Sequence, residues 1–280
     1  MRRATSSCSH GELLAGMRCQ RCTAAGSIVG TDWVDMVREG KKWPEYIDSM
    51  FRRTIQRLFD ALPSQCLVCH GWPSQAVCEG CVNRFAQPRP RCRSCALALA
   101  APVEQCGECI KHPPPLDQCL AAVSYEYPWS DLIVGYKFRE HPGRASAFAL
   151  LLRSTPWVEP ALDSADLVLP MPLSDARLQT RGFNQALLLA RQLAPEKTMP
   201  GLLLRIKDTA PQSSLRRSAR LNSLNDAFAV DPMQHKRLKG ARLVLVDDVM
   251  TSGASLFGAA RVLRAAGAAH ITGLVIARTE

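Results

Sequence analysis

Residues 243–255 read LVLVDDVMTSGAS, and the order of these side chains decides the fold. Residues 243–246 form a continuous apolar run rich in β-branched side chains, the composition of a strand buried on both faces of a parallel sheet. Two carboxylates, Asp247 and Asp248, follow, and then a turn of small residues, Thr251, Ser252, Gly253, Ala254 and Ser255. Leu256, Ala259, Ala260, Val262 and Leu263 recur at helical spacing beyond it. The stretch predicts a strand, an acidic pair, a hydroxyl-and-glycine loop and a helix.

Each part has a chemical use. Where a strand gives way to a helix, backbone N–H groups lack partners and point outward. Small residues let those amides close on a phosphate, and the hydroxyls of Thr251, Ser252 and Ser255 add donors. Asp247 and Asp248 carry the phosphate's own sign, so they suit ribose hydroxyls or a magnesium ion. A phosphate beside a diol is a ribose 5-phosphate. A lone Asp-Asp pair is more often a solvated turn; the whole run points to a ligand. Residues 247–255 resemble the phosphoribosyl-pyrophosphate (PRPP) motif of type I phosphoribosyltransferases: two acids, a hydrophobic residue, any residue, Thr-Thr-Gly, any residue, Thr. Ser252 and Ser255 stand where threonine is usual, and both keep a hydroxyl.

The chain has 280 residues, 47% of them apolar and 6% aromatic, enough for a full α/β domain plus a smaller module. No apolar run approaches the roughly 18–20 residues of a membrane span. Arg2 and Arg3 are not followed by an apolar stretch, so no secretory signal and a cytoplasmic location are expected. The net charge of +10 suits phosphate-rich ligands or nucleic acid without choosing between them.

Most of the twelve cysteines come in Cys-x-x-Cys pairs, which indicates metal rather than disulfides. Cys66 with Cys69, Cys78 with Cys81, Cys92 with Cys95, and Cys106 with Cys109 make four knuckles. Each puts two thiolates on one side of a tight turn, and two turns supply the tetrahedral sulfur set of a structural zinc, one or two ions in all. Glycine and proline between the knuckles leave little core, so the segment needs its metal to fold. Sequential and crossed pairings both fit the spacing. His70 and His112 are surplus to such sets, and Cys119 reads as a small hydrophobe in a strand. A redox role is less apt, because the pairs occur in series outside a strand–helix context.

Three segments follow from the same logic. Residues 1–49 stand apart: Cys8, His10, Cys19 and Cys22 could frame a further knuckle, or translation could begin at Met50, whose first residues read as a helix. Residues 50–115 are then a helix plus a double zinc ribbon, closed by a proline-rich boundary at 111–115, and residues 116–280 the α/β domain. Within that domain, strands are predicted at 120–127, 166–172 and 271–277, and helices at 132–138, 145–152 and 186–193, an alternation that implies a mostly parallel sheet. Lys137 and Arg139 end the first of these helices as solvated charge or as substrate contacts. Residues 173–180 are expected to form a loop carrying Arg177, at the end of a strand where ligands gather in open α/β sheets. Arg177 and Arg181 make a candidate pyrophosphate clamp, since guanidinium forks match phosphate oxygens. Residues 205–228 are basic, with Arg205, Lys207, Arg216, Arg217 and Arg220, and read as a loop able to close over an anion or as a solvated linker.

Cysteine knuckles, the proline run, a Pro-x-Pro-Leu strand end at 170–173, Arg-Gly-Phe-Asn-Gln at 181–185 and the PRPP motif occur in this order. The order closely resembles the ComF (or GntX) family of zinc-ribbon, phosphoribosyltransferase-like proteins over about residues 60–280. The resemblance implies a type I phosphoribosyltransferase-like parallel sheet with helices on both faces, binding PRPP with magnesium. Asp247 and Asp248 would hold the ribose diol and residues 251–255 the 5-phosphate. Residues 172–177 would face the pyrophosphate, and Arg181, Gly182, Phe183, Asn184 and Gln185 would flank the acceptor. It also implies a link to natural competence, with single-stranded DNA and competence-machinery proteins as partners at the inner face of the membrane. Two functions remain open. One is a phosphoribosyltransferase with Asp247, Asp248, Arg177 and Arg181 as its catalytic set. The other is a catalytically inactive regulator that binds PRPP or single-stranded DNA.

Overall fold

A computed structural model describes residues 64–138, 141–206 and 227–280. The residue 8–22 knuckle, the Met50 helix, Arg139 and residues 207–226 of the basic loop lie outside the described residues. All described residues belong to one compact unit, Pro63–Glu280.

In chain order, the cysteine region carries two short helices, α1 (Glu79–Phe85) and α2 (Gly107–Lys111). Strand β1 (Gln118–Ser124) is followed by α3 (Trp129–Phe138), α4 (Arg144–Arg153) and α5 (Val158–Ser164). Then come β2 (Leu167–Pro170), α6 (Asp175–Arg181), α7 (Gln185–Leu193), β3 (Leu203–Arg205) and β4 (Phe228–Val230). The chain ends with β5 (Arg242–Met250), α8 (Ala254–Ala265) and β6 (His270–Arg278). Four strands pair in the order β1-β6-β5-β2, all parallel, while β3 and β4 form a separate antiparallel pair.

Side chains alternate across a strand, so each face of the sheet builds its own core. On one face Leu243, Leu245, Ile271 and Val275 pack with Leu256, Ala259 and Leu263 of α8. On the other Val244, Val246, Leu274 and Ile276 meet Tyr136, Phe148, Leu152, Leu189 and Leu193 from α3, α4 and α7. The expected parallel sheet with helices on both faces is what the chain forms.

Three local expectations change. Strand β5 does not stop at Val246: Asp247 and Val249 stay in register with Val275 and Ala277 of β6, so both acids are part of the strand. On its other side β2 ends at Pro170, opposite Val246. The acids therefore stand on a ledge where one neighbouring strand continues and the other has ended, at a proline that cannot donate to a ladder. Residues 173–180, expected as a loop, are mostly helix α6. Asp175 lies in its first turn, where a negative charge favours the helix dipole, and Gly182 ends it at φ 75°, a conformation glycine adopts without cost. Finally, α7 begins at Gln185, capped by Asn184 Oδ1 accepting from Leu187 N at 3.1 Å.

The second cysteine ribbon is built into the main core. Cys92, Cys95 and Cys109 share a buried cluster with Cys119 and Met250. The Arg278 guanidinium, itself buried, donates to Cys95 O at 2.9 Å and to Met250 O at 3.2 Å, tying a cysteine knuckle to the end of β5. Cys119 N donates to Arg93 O at 2.7 Å, which covers part of the β1 edge.

Candidate functional site

The knuckles pair sequentially. Cys66, Cys69, Cys78 and Cys81 form one set and Cys92, Cys95, Cys106 and Cys109 the other, with the Sγ atoms of each set within 4.8 Å of one another. Cys69 and Cys78 Sγ are 3.6 Å apart, and Cys95 and Cys106 Sγ 3.8 Å. A tetrahedral ion with Zn–S bonds of about 2.3 Å requires edges of about 3.8 Å. Backbone amides also turn toward sulfur: Cys78 N donates to Cys66 Sγ and Cys106 N to Cys92 Sγ, each at 3.3 Å. Burial disfavours the Cys66 thiolate, but amides of Cys69, Cys78 and Val68 outweigh it and lower the thiol to about 6. Burial and the neighbouring thiols Cys78 and Cys69 push Cys81 up to about 12. Four thiolates this close need a cation to ionise together, so both sets fit zinc in sulfur count, spacing and amide support.

At the carboxyl ends of β5 and β2 lies a cavity of about 500 Å³, lined among others by Asp247, Asp248, Arg177, Arg181, Thr251 and Ser255. Asp247 Oδ1 accepts from Asp248 N at 2.8 Å, and Asp248 Oδ1 from Val249 N at 2.6 Å. Asp248 is 7% exposed, and its Oδ1 also meets Lys137 Nζ at 2.8 Å. Burial, and then the like charge of Asp248, push the Asp247 carboxyl up to about 7 against the pull of Lys137.

The turn after β5 depends on Gly253. Its φ is 78°, and a Cβ there would lie 2.5 Å from Met250 Cε and 2.7 Å from the Phe257 ring. Only glycine lets the chain double back into α8 at this point. Thr251, Gly253, Ala254 and Ser255 line the cavity. Ser252 supports the turn from behind: its Oγ accepts from Ala254 N at 3.4 Å.

The Arg-Gly-Phe-Asn-Gln block welds elements together. Gly182 ends α6. The Phe183 ring packs 6.1 Å from Tyr136. Asn184 Nδ2 donates to Met171 O at 3.0 Å while its Oδ1 caps α7. Gln185 is 1% exposed; its Nε2 donates to Lys137 O at 3.2 Å, and its backbone oxygen accepts from the Tyr136 hydroxyl at 2.8 Å. Arg181 donates to Gln185 Oε1 at 3.2 Å and lies 4.8 Å over the Phe138 ring. Burial lowers the Arg181 pKa against the pull of Asp248. Ser174 Oγ, just before α6, is the one buried side-chain oxygen among the described residues without a hydrogen-bond partner.

One residue was left open by the sequence pattern and one escaped it. Lys137, open between solvent and substrate, is the partner of Asp248. Phe138, beside it, drew no attention as a site residue, yet it lines the cavity. The one signal in the sequence is their place at the end of the helix that follows the first strand of the sheet.

A parallel α/β domain with a ligand cavity beyond its central strand, carrying two cysteine quartets, is the class these features define. No family model matches the chain. It is similar to the DNA utilization protein YhgH of Salmonella typhimurium, 30% identical over 237 residues that cover 78% of this chain and 98% of that one. Competence protein F of Haemophilus influenzae is 30% identical over 218 residues, 74% of this chain and 93% of its own. Competence protein ComFC of Bacillus subtilis matches over 165 residues at 30% identity, 59% of this chain and 65% of its own. The chain belongs to this competence protein F family, the ComF family its motifs resemble. A solved structure of the allosteric regulatory enzyme of purine biosynthesis overlays 51% of this chain and 30% of its own at TM-score 0.33 and 16% identity, too loosely to carry an argument. Among the described residues no helix is long and apolar enough to cross a membrane.

Proposed function

We propose that the chain binds PRPP at the end of β5 and serves DNA uptake as a phosphoribosyltransferase. The supporting observation is that two acids, a glycine-dependent hydroxyl loop and two arginines surround one cavity of about 500 Å³, a volume suited to a small phosphorylated ligand. Thr251, Ser255 and the amides opening α8 take the 5-phosphate. Asp247 and Asp248 accept from the ribose hydroxyls. Arg177 neutralises the leaving pyrophosphate. In the transfer, the lone pair of an acceptor nitrogen forms a bond to the anomeric carbon as the bond to the pyrophosphate oxygen breaks; pyrophosphate leaves with the electron pair of that C–O bond, and the proton on the acceptor nitrogen goes to solvent.

Each acid accepts one backbone N–H, but Asp248 already has Lys137 as its counter-cation, so Asp247 is the acid that would take magnesium. When bound with the diphosphate, the ion supplies positive charge against the leaving group. The link to DNA uptake rests on relatives named for competence and DNA utilization.

Titration calorimetry with PRPP and magnesium tests the site. Binding heat in the wild type that vanishes in the Asp247→Ala, Asp248→Ala double variant is expected; heat that persists refutes the assignment.

A second hollow, about 780 Å³, runs along β1 and carries Arg89, Arg91, Arg93 and the exposed Trp157, the ingredients of a single-strand DNA groove. Arg89 is paired with Glu126, and Arg91 turns to Ala96 O and Glu280, which reduces its attraction for phosphate. The PRPP reading is therefore the stronger. Single-strand affinity that falls steeply with salt would support the second function.

A further inference from the structure

The acceptor side of the cavity lacks a recognising side chain if only the 182–185 block is considered. Gly182 has none, Phe183 packs on Tyr136, and the side-chain amides of Asn184 and Gln185 are engaged by Met171 O, Leu187 N, Lys137 O and Arg181. Their work is to hold α3, α6 and α7 together. Recognition must come from what that scaffold presents.

It presents Phe138. The ring is 61% exposed and, among the described residues, is the one exposed large apolar group that lines the cavity. It is also held in place. The Arg181 guanidinium lies 4.8 Å from its centroid, and Gln185 anchors both neighbours, through Arg181 Nη1 and through the backbone oxygen of Lys137. Lys137 in turn is fixed to Asp248. The ring is thus one residue along the chain from the lysine bound to the acid proposed to hold the sugar. Arg181 has five N–H donors, and its one hydrogen bond among the described residues is to Gln185.

We propose that Phe138 and Arg181 form a subsite for the base of a nucleotide, a planar nitrogen heterocycle with an oxo group on its edge; this rests on the phosphoribosyl reading of the cavity. The Phe138 ring supplies a stacking face, which every base can use. The remaining Arg181 donors choose among bases, because they pair with a carbonyl oxygen and not with an exocyclic amine. Guanine offers two acceptors, O6 and N7, to this edge, whereas adenine offers N7 alone beside an amine that cannot accept, so guanine is preferred.

The test is calorimetry on the full chain with ribose 5-phosphate, GMP and AMP. Stacking should make GMP bind roughly five- to a hundredfold more tightly than ribose 5-phosphate. Phe138→Ala should erase that gain and leave ribose 5-phosphate unchanged, while Phe138→Tyr keeps it. Arg181→Met should remove the preference for GMP over AMP. The exposure of Phe138 makes its truncation benign for folding, which an unchanged melting temperature verifies. If GMP binds no better than ribose 5-phosphate, or if Phe138→Ala weakens both equally, the subsite is wrong and the sugar-phosphate site stands. If ribose 5-phosphate does not bind, or binds undiminished in the Asp247→Ala, Asp248→Ala variant, the cavity assignment fails and this subsite with it.

Discussion

Replacing Lys137 by methionine isolates the contact that most shapes the acidic end of the cavity. Lys137 Nζ and Asp248 Oδ1 are 2.8 Å apart, with side chains only 17% and 10% exposed. An exposed ion pair contributes under about 1 kcal/mol, but removing one partner of a buried pair strands the other charge and costs about 3–5 kcal/mol. The cavity admits water to the acids, so the lower end, about 3 kcal/mol, applies. For a domain of this size about 2–4 °C accompanies each kcal/mol, giving a fall of roughly 6–12 °C in melting temperature. The partner variant, Asp248→Asn, keeps an oxygen for Val249 N and removes the charge. Combined with Lys137→Met it should regain most of the loss, because no buried charge is then left unpaired. Thermal and urea unfolding of the two single variants and the double variant provide the cycle. A Lys137→Met loss below about 1 kcal/mol, or single losses that simply add in the double variant, would refute the claim that the pair neutralises the acidic end.

The Asp247 carboxyl, raised to about 7 from 3.8, binds its proton more tightly folded than unfolded, so it costs stability progressively as pH rises from about 4 to 7. Asp247→Asn should therefore stabilise the chain at pH 8 relative to wild type and not at pH 4; equal effects at both would contradict the shift. Gly253→Ala meets a φ of 78° and a contact at 2.5 Å, and should cost about 1–3 kcal/mol and abolish PRPP binding, measured by urea unfolding and calorimetry. The cysteine sets should differ. Cys109→Ser lies in the main core and should lower hydrogen-exchange protection in β5 and β6, whereas Cys69→Ser, an exposed cysteine in the set outside that core, should leave those strands protected and reduce bound zinc from two ions to one by metal analysis.

Local patterns in the sequence reached far into this protein. A Cys-x-x-Cys turn gathers two sulfurs within four residues, whatever the rest of the chain does. The apolar run at 243–246, the acids and the glycine turn likewise need only their neighbours to become strand, ledge and helix start. Family membership followed from the order of such patterns. What the spacing left open involved partners distant in sequence. Sequential pairing of the knuckles needed their positions in space, and the helical state of residues 173–180 left no apolar pattern to read, because the helix Asp175–Arg181 buries none of its residues. The bond between Lys137 and Asp248 exists because α3 and β5 come together at one edge of the sheet, and Phe138 faces the cavity for the same reason. Helical or strand periodicity records which side of an element is apolar. It carries no record of which charged group waits on the element opposite, and the strand order β1-β6-β5-β2 alone decided that.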